Sequence, residues 1–190
     1  MGQSNAGGRP TAEEHFINRA KVAAEMSTCL RRAVGAVIIR DGVELSSGYV
    51  GAPRRTKHCS DEDGRCFRQE NSVPSGERYE LCRSAHAEQN AIINAARIGV
   101  NIVGGTMYIY SRKRDEMYEK TTDEADSQFG PCILCKRFII NAGIKQVVMK
   151  EEGREVSRYN EDDVRAELRR EEDQARSKYS EKQADTPHSR

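Results

Sequence analysis

Polar and apolar positions along the chain follow two periods in turn, and the switches between them mark the elements. Residues 1–10 are rich in Gly, Ser, Asn and Pro and are expected to form a disordered tail; Thr11-Ala-Glu-Glu14 then has the spacing of a capping box. It opens a helix predicted to run to about Ser27, with Phe16, Ile17, Ala20, Ala23 and Ala24, joined by Val22, on one apolar face. Two strand-like runs follow at 34–40 and 43–50, and Asp41-Gly42 between them is a strong hairpin signal. Residues 84–97 read as a helix closed by Gly99, and 106–110 as a strand. Pro131 starts a further helix through Asn141 that stops at Ala142-Gly143, and 145–149 form another strand. Helices alternating with strands after an initial hairpin predict an α/β fold with a mixed sheet.

Three stretches depart from this pattern. Residues 51–83 carry little apolar periodicity, and so long an excursion in a compact domain needs something to tie it down. Residues 111–130 are mostly charged and polar. From Glu151 onward aliphatic residues nearly vanish, while Glu161 with Arg165 and Glu172 with Arg176 stand in the favourable i,i+4 order. A solvated helix is expected over roughly 160–176, with a disordered tail beyond Ser177. The chain accordingly divides into a tail (1–10), a domain (11–150) and a charged C-terminal segment (151–190).

Composition narrows the chemistry. Thirty-one basic and 30 acidic residues nearly cancel to +1, which lacks the basic footprint of a duplex-binding protein and suits a small anionic ligand better. No apolar run approaches a membrane span and the N-terminus lacks the apolar core of a signal peptide, so a soluble, cytoplasmic protein is expected. In that setting six cysteines point to metal ligands or reduced thiols ahead of disulfides.

Three of the candidate ligands fall at the starts of two predicted helices: His86 in one, Cys132 and Cys135 in the other. The positive ends of helices favour the thiolates that metal binding requires. Three protein ligands leave the fourth tetrahedral position of a zinc ion open for water, the arrangement of a catalytic site. Glu88, two residues from His86, is surplus to the ligand set and is placed to shuttle protons. H-x-E with P-C-x-x-C is the signature of zinc nucleobase deaminases. The competing reading makes His86 a core histidine and Cys132 and Cys135 buried thiols. Cys29, Cys59, Cys66 and Cys82 form a second set of four, able to hold a closed structural zinc that orders the excursion at 51–83, with free thiols or a mixed ligand set as the alternatives.

The motifs Ser27-Thr-Cys-Leu-Arg-Arg-Ala-Val-Gly-Ala-Val37, Gly48-Tyr-Val-Gly-Ala-Pro53, Pro74-Ser-Gly-Glu-Arg-Tyr-Glu-Leu-Cys82, His86-Ala-Glu-Gln-Asn-Ala-Ile92 and Pro131-Cys-Ile-Leu-Cys135 resemble the deoxycytidylate (dCMP) deaminases, including late-competence-type bacterial relatives, within the cytidine deaminase superfamily. The resemblance runs over residues 14–149. It implies a three-layer α/β/α sandwich on a mixed five-stranded sheet, a homo-oligomer, most often a hexamer, and conversion of dCMP to dUMP with dCTP and dTTP as effectors. It also implies a second zinc with ligands at positions matching Cys29 and Cys59, and a substrate site that includes positions 50, 51 and 87, here Val50, Gly51 and Ala87. Where the family has Asn, Val50 can neither donate nor accept a hydrogen bond, so the site can select another ligand. Twenty residues separate Tyr110 from Pro131 where the family has only a few, and this insertion is a candidate lid. Arg31, Arg32 and Arg83 are candidates for a phosphate group. Three functions remain in view: a dCMP deaminase, a deaminase of the same fold acting on another nucleoside, nucleotide or RNA base, and a non-catalytic zinc module.

Overall fold

The computed structural model describes residues 8–61, 64–74, 77–114 and 130–184. The insertion read as a lid lies almost wholly outside the described residues, as does most of the N-terminal tail. Helix α1 (Ala12–Glu25) opens with the capping box, Thr11 accepting from the Glu14 amide and the Glu14 carboxylate accepting from the Thr11 amide. Its packed residues are Ile17, Ala20 and Ala24, whereas Val22 points outward, 57% exposed. Strands β1 (Arg32–Arg40) and β2 (Val43–Tyr49) form the expected hairpin. Asp41 and Gly42 both adopt positive φ (53° and 78°), the twist a two-residue hairpin turn requires.

The excursion is tied into one-turn helices at Cys59–Asp61 and Tyr79–Leu81 and a short α2 (Phe67–Glu70). Helix α3 (Ala87–Arg97) then leads to β3 (Thr106–Lys113), α4 (Ile133–Asn141), β4 (Gln146–Glu151), β5 (Ser157–Asn160) and α5 (Glu161–Ala184). The sheet order is β2-β1-β3-β4-β5, with only the β3–β4 pair parallel. It is thus the mixed five-stranded sheet that the resemblance implies.

Strand β1 has almost no exposed residue because both of its faces are covered. Ala33, Val37 and Ile39 point to α1, while Ala36 and Ile38 join Ala87, Ala91, Cys135, Ile139 and Val164 on the side of α3, α4 and α5. Glycines let the helices sit directly on the strands. A Cβ on Gly35 would lie 2.2 Å from the Ala20 carbonyl oxygen, and one on Gly48 would lie 2.3 Å from the Ala91 nitrogen and 2.5 Å from the Ala87 oxygen.

Several boundaries differ from the sequence reading. Strand β3 continues three residues past Tyr110, since backbone pairing of 111–113 with Arg32, Ala33 and Val34 needs no apolar side chains. Helix α3 starts at Ala87, not Ser84, because Ala85 exchanges two backbone hydrogen bonds with Gly51. Strand β5 was not anticipated: Ser-Arg-Tyr-Asn lacks an apolar rhythm and is held by its ladder to β4, with Tyr159 against the core. Helix α5 is longer than the expected 160–176 and is not solvated all round. Val164 is buried and Glu172 pairs with Arg137 of α4 at 2.8 Å, while Glu161–Arg165 forms as anticipated.

Candidate metal centre and its surroundings

Strands β2, β3 and β4 run in the same direction, so their C-terminal ends share one edge of the sheet. Chain leaving β2 and β3 returns there as the N-termini of α3 and α4, which is where ligands of open α/β sheets gather. The caps move the helix starts from the sequence reading, by three residues in α3 and two in α4. His86 and Cys132 are the N-cap residues of α3 and α4, outside the first turn, and Pro131 precedes its cap. With extended backbone at each cap, the side chains of His86 and Cys132 turn across the helix end. The His86 amide donates to Gln89 Oε1 at 3.0 Å, so the cap is closed by a residue three positions on and the imidazole is left for other work.

The Cys132 and Cys135 sulfurs each lie 3.3 Å from His86 Nδ1, and the three ligand atoms all fall within 4.8 Å of one another. Tetrahedral zinc with ordinary Zn–S and Zn–N bonds separates sulfur from nitrogen by about 3.6 Å, so the set needs only a slight opening. Two thiols and an imidazole are also the donor chemistry that zinc takes. Electrostatics already favour ionised sulfur here: Cys132 is brought down to about 3, first by its hydrogen bond with Cys135 and, against the effect of burial, by His86. Burial presses His86 toward neutrality, but the hydrogen bond and charge of Cys132 outweigh it and hold the imidazole at about 9. Cys135 is pushed up by its bond to Cys132 and by burial. Glu88, 6% exposed, is raised by burial, against the opposing charge of His86.

The candidates for substrate contact divide. Val50 and Gly51 are held beside His86 through the Gly51–Ala85 bridge, with Val50 only 7% exposed, and Ala87 is fully buried at the start of α3. Arg31 is half-buried, and its carbonyl accepts from the Arg114 amide. Arg32 is committed to Glu151 at 2.9 Å, and Arg83 lines a cavity of about 760 Å³ with Cys59, Cys66 and Cys82. Cys59 is raised by burial and, more weakly, by the charges of Cys29, Cys82 and Cys66, so the four thiols are neighbours. Among the described residues, however, only the His86 set brings its ligand atoms within 4.8 Å. The sequence reading passed over Gln89 and Tyr79. Gln89 was detectable as a capping partner at the third helical position, whereas the approach of Tyr79 to His86 and Cys132 has no local signal.

A family model described as the cytidine and deoxycytidylate deaminase zinc-binding region matches residues 10–151. The chain belongs to this family. A deoxycytidylate deaminase of Schizosaccharomyces pombe is 31% identical over 140 residues, which cover 74% of this chain but only 37% of that protein. The chain therefore aligns to well under half the length of its fungal relative. A deoxycytidylate deaminase of Mycobacterium phage D29 is 32% identical over 149 residues, covering 76% of this chain and 98% of that one. Among solved structures, the dCMP deaminase of cyanophage S-TIM5 in complex with dCMP and dUMP superposes with a TM-score of 0.53 at 24% identity, over 75% of this chain and 83% of that one. The deaminase fold is shared, including the sheet with helices on both faces. Family membership and the His86, Cys132 and Cys135 group together support zinc as the metal. Among the described residues no helix is long and apolar enough to cross a membrane.

Proposed function

We propose that this chain is a zinc-dependent hydrolytic deaminase of a cytosine nucleotide, converting dCMP to dUMP with release of ammonia. The observation that carries the reading is the convergence of His86, Cys132 and Cys135 on one point with the buried carboxylate of Glu88 beside them. His86, Cys132 and Cys135 hold zinc, which when bound supplies a Lewis acid that makes water nucleophilic near neutral pH. Glu88 takes a proton from the attacking water and delivers it to the ring nitrogen. It then moves the second proton to the exocyclic amine as the C4–N bond breaks and the C4 carbonyl forms. Burial raises Glu88 above the ordinary carboxylate value, the direction that suits a group alternating between acceptor and donor. Gly51 and the Ala87 backbone border the base, Val50 gives the pocket an apolar wall, and Arg31 receives the phosphate. The names of the fungal and phage relatives support dCMP as substrate.

Cys29, Cys59, Cys66 and Cys82 are assigned to a structural zinc, supported by the charges Cys59 receives from the other three. Assembly as a homo-oligomer, up to a hexamer responsive to dCTP and dTTP, and a cytoplasmic location rest on the family resemblance. Light scattering against the chain mass of 21.4 kDa tests the assembly. Val50 favours a second reading, a same-fold deaminase acting on another substrate: dCTP, a nucleoside, a modified cytosine nucleotide or a base in RNA. Ammonia release measured across cytosine and adenine nucleosides and their mono-, di- and triphosphates separates the two. Highest kcat/KM on dCMP is expected, preference for another cytosine compound selects the second reading, and no release from any of them removes both.

A further inference from the structure

Strand β2 is an outer strand of the sheet, so the carbonyls it turns away from β1 meet no further strand. The Val50 amide donates to Val34 O at 3.0 Å across the Gly35–Tyr49 pair, which turns the Tyr49 carbonyl, and two residues earlier that of Ser47, toward the open edge. Two asparagines one turn apart on α3 serve these carbonyls. Asn90 Nδ2 donates to Tyr49 O and Asn94 Nδ2 to Ser47 O, both at 2.8 Å. The two bonds match in length and both are half-buried, but they join different things. The Asn90 amide also donates to the His86 carbonyl at 3.0 Å, and Tyr49 leads directly into Val50 and Gly51. Gly51 in turn exchanges backbone bonds of 3.1 and 2.9 Å with Ala85, the residue before His86.

We infer that Asn90 is a positioning residue for the reaction: its side-chain bond to the Tyr49 carbonyl locks residues 49–51, the segment beside the base, to the start of α3, which carries His86 and Glu88. The inference rests on the proposed function, in which Gly51 borders the substrate. Residues 86–89 lie between two ties, Ala85 to Gly51 on one side and Asn90 to Tyr49 on the other. While both hold, the metal ligand and the proton carrier keep their distance from the segment that seats the base. With the Gly51–Ala85 bridge alone, the two segments can hinge about it. A misplacement of about 1 Å between reacting groups can cost about 100-fold in rate. Asn94 ties the same helix to the same strand one turn farther from the site, where its Oδ1 also accepts from Arg54 at 3.0 Å. The pair therefore separates two roles: fastening α3 to β2 belongs to both asparagines, alignment of the site to Asn90.

The test compares the full zinc-loaded chain with Asn90→Ala and Asn94→Ala, measuring urea unfolding, zinc content and the kinetics of ammonia release from dCMP. Asn94→Ala removes two bonds and Asn90→Ala one, so the midpoint of Asn94→Ala should fall at least as far, with zinc retained in both. Asn90→Ala is expected to lower kcat by about 10- to 100-fold while KM changes little, the pattern of alignment lost in the transition state; Asn94→Ala should keep both constants. A second readout does not need turnover: dUMP added to the cobalt(II)-loaded chain should perturb the visible bands of parent and Asn94→Ala more than those of Asn90→Ala. Should Asn90→Ala give too little folded protein, Asn90→Asp, which changes one atom and removes the donor, takes its place. Parental kinetics and dUMP response in the Asn90 variant, or equal losses in the Asn90 and Asn94 variants, would overturn the role of Asn90 and leave the proposed function standing. A parent inactive on dCMP would instead overturn the proposed function, and the role of Asn90 with it.

Discussion

At the scale of single residues, the proposed mechanism assigns three groups to holding the metal and one to moving protons. Glu88 lies in the first turn of α3, two residues past the His86 cap, yet is not needed to complete three ligands, so Glu88→Ala is expected to retain zinc and its unfolding midpoint while deamination falls by at least about 100-fold. Zinc content, thermal unfolding and rate, measured together, decide it; near-parental activity would assign the proton to another group. Val50 poses a different question. Its amide donates to Val34 O at 3.0 Å, its carbonyl accepts from Thr28 at 3.1 Å, and its side chain is all but enclosed. If Val50 lines the nucleotide pocket as proposed, Val50→Asn turns its new amide toward water in the empty site and should change urea unfolding by less than about 1 kcal/mol, whereas a side chain sealed in protein would cost about 1–3 kcal/mol as a buried amide without a partner. The larger loss would remove Val50 from the pocket wall.

At the scale of elements, much of the fold is legible because it is written in short-range signals. The Thr11 capping box, the Asp41-Gly42 turn and the glycines beyond α3 and α4 act within a few residues of themselves, and the elements they bound were read closely. Strand β5 and the inner face of α5 escaped because their order comes from partners far along the chain: the β4 ladder for one, Lys136 and Arg137 for the other. The site follows the same division. His86, Glu88, Cys132 and Cys135 stand at spacings that carry their own meaning, whereas Tyr79 comes up against the His86 ring only through the path of 51–83. Close packing of α3 on β2 at Gly48 gives an element-level prediction. Gly48→Ala must push against helix backbone, not the end of a flexible side chain. It is expected to cost about 1–3 kcal/mol or more and to weaken zinc retention, since the helix that shifts begins at His86. Chelator competition alongside urea unfolding checks both; lost stability with unchanged zinc retention would detach the packing from the centre.

At the scale of the whole molecule, the charged C-terminal helix is joined to the metal-bearing helix through Lys136. That lysine, next to Cys135, is 0% exposed, and its ammonium group meets Glu171 at 2.7 Å and Glu167 at 3.0 Å. A buried charge stripped of its partners is costly, so Glu167→Gln combined with Glu171→Gln should lower stability by about 3–5 kcal/mol. Urea unfolding reads this, and a loss below about 1 kcal/mol would show that Lys136 finds water or another acceptor. The same contact sets an order of events during synthesis. Domains fold as the chain emerges, at roughly 5–20 residues per second, and Cys135 is made more than thirty residues before the carboxylates that neutralise its neighbour. Until Glu167 and Glu171 arrive, α4 carries an uncompensated ammonium on the face it must bury. A nascent chain that has made α4 but not α5 is therefore expected to leave α4 unsettled and Cys135 short of its final place. Firm metal binding is therefore expected to need Glu167 and Glu171 in place, and a chain truncated before α5 should lose zinc to a chelator faster than the parent.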